Sequence, residues 1–556
     1  MHKLPNNLPN DLDELKRLVL AQADLLKEQA EHFHTELLQK DAETERSRVE
    51  TERSRVELKH ANAEVERLKE MIVYFQRALY RPKSEKIHPD QLGLFDEAEA
   101  IATIPPPGEE LVVPEHHRKK PGRKPLPADL PREEIVHDLP EDEKVCACGC
   151  RLERIGEESN EKLKVIPERY VVLRNVYPKY ACPRCEGSED EGPSVKIAPR
   201  EPELIPRSIV TPGLLAHLMI QKFCDHLPFY RQEAILSRSG IEVTRRTMCS
   251  WAMKVGESVI PLLNLLADAI REGPVIGADE TTLQVLEEPG RDARSKSYMW
   301  VFLGGNEGRR AVLYQYRPTR SGTVAVEFVQ GYQGAVQCDG FDGYDRLEKF
   351  SAIVLHGCMA HARRKFVAVA TLANKSGKKK GQPTAAAEFL RLFQKLYRIE
   401  KVAREAAMTP DQRKDLRQRE AVPVLEELKK LLLDTYPKTD PSGLLGKAIA
   451  YTVNQWERLR RYIDNGHVEI DNNAVERAIR PFVIGRNNWL FSGVPRGADA
   501  SAAIYSLIET AKLNSLEPSR YLNVLFSRLP YASTLEDYEQ LLPFAVNKPF
   551  LDTVVV

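Results

Sequence analysis

The sequence predicts a multidomain α/β protein, and three observations carry that expectation. At 556 residues the chain is too long for a single hydrophobic core. Its N-terminal part repeats with heptad spacing, and five of its nine cysteines crowd between Cys146 and Cys185. From about residue 273 onward, short apolar strand-like runs alternate with helical stretches, and two of those runs close on an aspartate.

Residues 11–80 read as one long helix. Glu43–Val49 and Glu50–Val56 are tandem copies of one heptad, each with a single apolar position. Leu58, Ala61, Val65, Leu68, Ile72, Phe75 and Leu79 then follow a 3-4 spacing among charged residues. That pattern predicts a coiled coil, pairing most firmly over residues 58–79, and therefore a homo-oligomer. A solvent-exposed single helix is the bland alternative.

Residues 81–145 form a linker, broken by Pro105-Pro106-Pro107-Gly108. Between Ile87 and His117 there are seven acidic residues and no Lys or Arg. The following His116–Pro125 stretch, which contains Arg123, has the composition of basic arms that enter a DNA minor groove. An ordinary basic linker fits it equally well.

Residues 146–200 are expected to form a zinc-binding ribbon. Cys182-Pro183-Arg184-Cys185 has the spacing that brings two thiolates to one tetrahedral Zn²⁺. Upstream, Cys146, Cys148 and Cys150 offer three thiols where two are needed, and Cys146 with Cys148 is the favoured pair. Val165-Ile166 and Tyr170–Leu173 read as the ribbon's strands. Such a site is structural, because four thiolates leave no position for water.

Residues 208–258 predict a helix-turn-helix. Thr211-Pro212-Gly213 opens a helix, Phe229–Ser237 forms a second, and Ser239-Gly240 turns into a third from Thr244 to about Val255. Arg245, Arg246, Thr247 and Ser250 suit phosphate or base-edge contacts, whereas Trp251 and Met253 suit packing. A helical hairpin with no DNA role is the competing reading.

Formal net charge is zero although 29% of residues are charged, so overall charge selects no partner. Local charge does: from Lys349 to Ala387 there are eight Lys or Arg and no acid, which suits a polyanion. No run approaches the roughly 18 apolar residues of a membrane span, and no apolar signal core follows Met1. The cysteine usage fits a reducing compartment, and cytoplasm is the expectation.

The remaining assignment is a catalytic core at 273–490. Asp279 follows Val275–Ala278, with Thr282–Leu286 beyond it; Tyr298–Leu303 and Ala311–Tyr316 read as two more strands. A crossover helix at Gly322–Gln330 then leads to Ala335–Cys338 and Asp339. Three strands, a helix and a fourth strand match a ribonuclease-H-like mixed sheet. Glu476 lies in the first turns of a later helix that Pro481 is expected to end. The long gap between Asp339 and Glu476 holds a helical insertion at about 385–463, with Leu390, Phe393, Leu396, Tyr397 and Ile399 on one face. Residues 491–556 form a C-terminal helical segment.

Two strand aspartates and a helical glutamate are the donor set for two Mg²⁺, or Mn²⁺, held about 3.5–4 Å apart around a phosphodiester. Glu280, Asp342, Glu469 and Asp471 are competing acids nearby. Arg480, one turn after Glu476, is a candidate to orient that carboxylate or to hold DNA phosphate, with Arg477 and Arg486 as lesser candidates. His361 stands beside Cys358 with C-x₂-H spacing, a structural or active-site-adjacent pair rather than a separate metal site.

The strings Gly277-Ala278-Asp279-Glu280-Thr281, Cys338-Asp339-Gly340-Phe341, His361-Ala362-Arg363-Arg364-Lys365-Phe366 and Asp471-Asn472-Asn473 through Glu476-Arg477 resemble the transposases of the insertion sequence 66 family. The resemblance runs from about Ser84 to Leu522. It implies a ribonuclease-H-like core with the Asp279, Asp339, Glu476 triad, acting with Mg²⁺ on the ends of a mobile element and on target DNA. It also implies a zinc-binding segment and leaves room for accessory proteins of the element. Two other readings compete: a DNA-binding regulator without catalysis, and a structure-selective nuclease on the same fold.

Overall fold

A computed structural model describes residues 169–181, 195–375 and 385–546, isolated residues 132, 134 and 162, and a series of positions between 14 and 55. The chain divides into two units, Pro105–Glu201 and the remainder. Cys146, Cys148, Cys150, Cys182, Cys185, Arg123 and the 58–79 heptads lie outside the described residues.

In the Pro105–Glu201 unit, β1 (Lys179–Ala181) pairs antiparallel with β2 (Val195–Ile197), with Tyr180 opposite Lys196. Tyr170–Leu173, expected as a strand, is not one. Its Val171, Val172 and Leu173 stand in solvent with no paired neighbour among the described residues, and β-branched composition does not make a strand without a partner surface.

In the other unit, every described position between 14 and 55 is helical and exposed. Between Pro202 and the sheet lie four helices: α1 (Pro212–Phe223), α2 (Phe229–Arg238), α3 (Arg245–Ser258) and α4 (Ile260–Glu272). The opening signals hold. Thr211 caps α1 by accepting from the Leu214 amide, and Thr244 caps α3 by accepting from the Thr247 amide. Gly240, at φ 75°, supplies the left-handed residue between α2 and α3. One face of α3 is buried through Met248, Trp251, Ala252 and Val255; Arg245, Arg246 and Ser250 face outward.

The sheet contains β3 (Val275–Gln284), β4 (Lys296–Gly304), β5 (Ala311–Arg317), β6 (Gly334–Gln337) and β7 (Ile353–His356), in the order β5-β4-β3-β6-β7. The first three strands are antiparallel neighbours, while β6 and β7 run parallel to β3. Parallel pairing requires a crossover, and α5 (Thr323–Phe328) lies within it. Asp279 does not end a strand: β3 runs on unbroken to Gln284, held by β4 as far as Gln284 opposite Lys296.

Beyond β7, α6 (Met359–Lys375) leads into the insertion: α7 (Ala387–Glu405), α8 (Pro410–Leu416), α9 (Val422–Thr435), α10 (Leu444–Asn454) and α11 (Trp456–Arg460). Phe366 of α6 stacks on Phe389 and tilts against Phe393 of α7, so the insertion shares a core with the helix that carries His361. Inside it, Arg417 forks onto Glu400 at 2.8 and 2.7 Å, both fully buried, and also donates to the carbonyls of Tyr462 and Asn465.

Next comes α12 (Asn473–Trp489), and Pro481 lies within it rather than at its end. A proline there disturbs the preceding turn, but the Tyr314 hydroxyl of β5 donates to the Ala478 carbonyl in that turn, and fully buried Phe482 anchors the next. Tertiary partners thus carry the helix through.

Finally, α13 (Pro495–Leu513) covers the outer edge of β5, and α14 (Pro518–Arg528) and α15 (Leu535–Gln540) follow it. Thr510 bonds both the amide and carbonyl of Val312, and Ser506 accepts from the Tyr314 amide. Hydroxyls stand where a sixth strand would pair, which closes an edge otherwise open to aggregation. Among the described residues, no helix is long and apolar enough to cross a membrane.

Candidate active site at the β3–β6 junction

The site begins with strand register. Gly277 pairs with Gln337, and two residues beyond that pair on each strand's path come Asp279, where β3 continues, and Asp339, where β6 has ended, near enough for the charge of Asp339 to act on Asp279. Asp279 accepts from the Glu280 amide at 2.9 Å, and Asp339 accepts from the Phe341 amide at 3.0 Å, turning the chain away from the sheet.

Glu476 arrives from the first turn of α12, which lies close against β3. A Cβ on Gly277 would fall 2.4 Å from Val475 Cγ2 and 3.1 Å from Asn472 Oδ1, so only glycine permits the approach. Asn472 fixes it by donating from Nδ2 to the Ala278 carbonyl at 2.9 Å, while its own amide donates to Cys358 Sγ at 3.2 Å. Gly340 has a similar role, since a Cβ there would press on the Tyr451 ring at 2.8 Å.

The first turns of α6 supply the other wall. Arg364 forks onto Glu476, with Nη1 to Oε1 at 3.0 Å and Nη2 to Oε2 at 2.6 Å, and Nη2 also reaches Asn473 Oδ1 at 3.2 Å. His361 Nδ1 lies 3.5 Å from Glu476 Oε1. Ligand atoms of Cys358, His361 and Glu476 lie within 4.8 Å of one another, so the C-x₂-H pair adjoins the third carboxylate.

Electrostatics tie the acids together. Burial, then the negative charges of Glu280 and Asp339 and more weakly Glu476, push the Asp279 carboxyl well above its ordinary range; the Glu280 amide offsets part of this. Burial lowers the His361 imidazole below its usual value, against the pull of Glu476. The negative charges of Asp339 and Glu476 thus act on a buried Asp279, a repulsion that a divalent cation bound beside it would relieve.

The competing acids are engaged elsewhere. Glu280 is held by the Tyr344 hydroxyl at 2.6 Å and by Arg320 Nε at 2.6 Å, with the guanidinium stacked 3.8 Å above Phe341. Asp471 accepts from the Tyr397 hydroxyl at 2.8 Å and from Asn473, and burial raises its carboxyl to about 6. Glu469 pairs with Arg413 at 2.8 Å, and Asp342 is exposed at the start of a 3₁₀ turn.

Glu476 is therefore met by Arg364 and His361, whereas Arg480 was the sequence candidate to orient it. Arg480 is half-buried further along α12, and Arg486 is spent on Thr281 and Thr282 of β3. Arg364 escaped the sequence reading as a site residue because its partner is distant along the chain. Its one local signal was its position three residues after His361, which puts both on one helical face. Arg245, Arg246 and Thr247 stand together at the start of α3.

A family model described as "Transposase IS66 family" matches residues 207–500, a span holding all three carboxylates. Others described as "Transposase C of IS166 homeodomain", "zinc-finger binding domain of transposase IS66" and "IS66 C-terminal element" match residues 67–135, 143–186 and 506–544. Two relatives from Sinorhizobium fredii (strain NBRC 101917 / NGR234) align with most of the chain. Uncharacterized protein y4jD is 31% identical over 499 residues, covering 86% of this chain and 94% of the relative. Uncharacterized protein y4qI is 30% identical over 559 residues, covering 97% of each. With more than half of the chain matched by one family model and near full-length relatives beside it, the chain belongs to the IS66 family of transposases.

Proposed function

We propose that the protein is a DNA transposase whose Asp279, Asp339 and Glu476 hold two divalent cations, Mg²⁺ or Mn²⁺, for cleavage at element ends and strand transfer into target DNA. The observation that carries this is the convergence of the three acids where β3, β6 and the first turn of α12 meet. The sheet order β5-β4-β3-β6-β7, antiparallel on one side of β3 and parallel on the other, supports a ribonuclease-H-like reading of the core.

Bound there, the cations supply a lowered pKa for the attacking oxygen and neutralise charge that develops on the phosphate. The protein's part is placement. Asp279 and Asp339 fix their oxygens through backbone amides, and Asn472 sets the height of Glu476 above β3. No protein nucleophile is assigned.

DNA would be gripped by Arg245, Arg246 and Thr247 on α3, with the helix-turn-helix as the reading unit and Arg480 and Arg123 as further phosphate contacts. The zinc-finger match over 143–186 supports a structural Zn²⁺ on Cys146, Cys148, Cys182 and Cys185. The N-terminal heptads would join copies of the chain, which would work on DNA in the cytoplasm at the nucleoid.

The test is purified protein with a labelled duplex carrying the element end, with and without Mg²⁺. Cleavage with joining supports the proposal, and Asp279→Asn should abolish both while leaving binding intact. Binding without cleavage would make the protein a regulator, and cutting without joining a nuclease.

A further inference from the structure

Arg364 occupies the carboxylate that the cations need. Its two terminal nitrogens meet both oxygens of Glu476, at 3.0 and 2.6 Å, so the buried acid is already neutralised by a resident cation. Glu476 is 4% exposed, yet the Arg364 side chain retains 26% of its exposure and forms the outer side of the pair. The next residue of the same helix, Lys365, lies over the Tyr451 ring, and the helix belongs to the 349–387 stretch of sequence, which holds eight Lys or Arg and no acid. A guanidinium forks onto a phosphate as readily as onto a carboxylate, and a DNA strand set for cleavage at these acids would bring phosphates within its reach.

We infer that Arg364 gates the metal site. Without DNA it holds Glu476, and its positive charge opposes a divalent cation beside Asp279 and Asp339. When a strand enters, a phosphate takes the guanidinium and Glu476 turns its freed oxygens to the cation. DNA and metal then bind cooperatively, each tightening the other by the same factor. The inference rests on the three-carboxylate reading above, and it makes Arg364 a positioning residue that acts through Glu476. A purely structural Arg364, one that only holds Glu476 in place for the metal, predicts the opposite sign: its loss would weaken metal binding.

The experiment is Mn²⁺ titration of the full zinc-loaded chain, followed by the electron paramagnetic resonance of free Mn²⁺. It is run alone and with a pre-cut end duplex bearing a 3′-deoxy terminus, which blocks joining. Asp279→Asn provides the background from Mn²⁺ held by DNA or other sites. Wild type should bind Mn²⁺ weakly alone and at least about fivefold more tightly with the duplex. Arg364→Gln should bind more tightly than wild type without DNA and show a smaller gain on adding it; some gain persists, because the strand itself offers oxygens to the cation. Arg364→Lys, which keeps the charge but cannot fork onto both oxygens, should fall between the two. It carries the test if Arg364→Gln melts below the assay temperature. Weaker or unchanged Mn²⁺ binding by the Arg364 variants without DNA, while Asp279→Asn still loses it, overturns the gate alone. If Asp279→Asn binds as wild type does under both conditions, the carboxylate site itself is wrong.

Discussion

Asn472 donates a 2.9 Å hydrogen bond to the carbonyl of Ala278, joining the residue one turn before Glu476 to the residue just before Asp279. A bond between distant chain segments thereby sets the distance between two proposed metal ligands. Asn472→Ala leaves a buried carbonyl unpaired, at a cost of about 1–3 kcal/mol. Cleavage should fall far more than this loss of stability explains, because α12 is then free to rise from β3. Denaturant unfolding and strand cleavage, measured on the same preparation, check this. Equal activity at the lower stability would show that the bond serves the fold only.

Gly277→Ala tests the same contact from the strand side. The new methyl would sit 2.4 Å from Val475 Cγ2, so strand and helix must part. The expected cost is about 1–3 kcal/mol of stability, as for overpacking elsewhere, with loss of cleavage. Val475→Ala in the same chain removes the nearer obstacle, leaving Asn472 Oδ1 at 3.1 Å. The double variant should therefore recover part of the stability, a non-additivity visible in a double-mutant cycle. Simple addition of the two losses would place the strain elsewhere.

The acids of this site predict how stability depends on pH. Asp279 is raised in the folded protein above its unfolded value of about 3.9, so the folded state holds its proton more tightly than the unfolded chain. In EDTA-treated protein, stability should therefore fall as pH rises from the ordinary carboxylate range through the raised value. Asp471, raised to about 6, acts in the same direction without facing the proposed cations. Mg²⁺ binds the deprotonated acids, so the rise in Tm that it gives should be larger at about pH 8 than at about pH 5.5. In Asp279→Asn that Mg²⁺ increment should vanish at both pH values, while the Asp471 contribution to the slope remains.

Local pattern made much of this legible. Thr211 and Thr244 announced their helices because a hydroxyl beside an amide is a short-range event, and the apolar runs of β4 and β5 gave strands at the expected places. Pro481 misled because its penalty is local and its compensation is not: Tyr314 lies on a strand far away along the chain. Tyr170–Leu173 misled in the opposite sense, having strand composition without a paired strand among the described residues. The acids could be nominated from their surroundings, but the choice among them depends on cross-chain partners that no spacing reveals. Tyr397 on Asp471, Arg413 on Glu469, and Tyr344 with Arg320 on Glu280 are of this kind, as is Arg364 on Glu476.

Those partners sharpen the prediction for the third carboxylate. Glu476 sits in the first turn of α12, where the helix dipole favours an anion, and it is near enough to Asp279 for its charge to be felt there. Glu469 is half-exposed and paired with Arg413. Asp471 ties Tyr397 of the insertion to the start of α12. Shortening Glu476 to Asp withdraws its oxygens by about one methylene, and metal-assisted displacement tolerates misplacement near 1 Å poorly, at about a hundredfold in rate. Glu476→Asp and Glu476→Gln should therefore bind end DNA and fail to cleave it, as should Asp339→Asn. Glu469→Gln should retain most of its activity. Asp471→Asn keeps an oxygen for the Tyr397 hydroxyl, so it should lose stability before it loses chemistry. Mg²⁺-dependent cleavage of a labelled end duplex, with binding followed in parallel, separates these outcomes; near-normal cleavage by Glu476→Gln would move the third ligand to another residue.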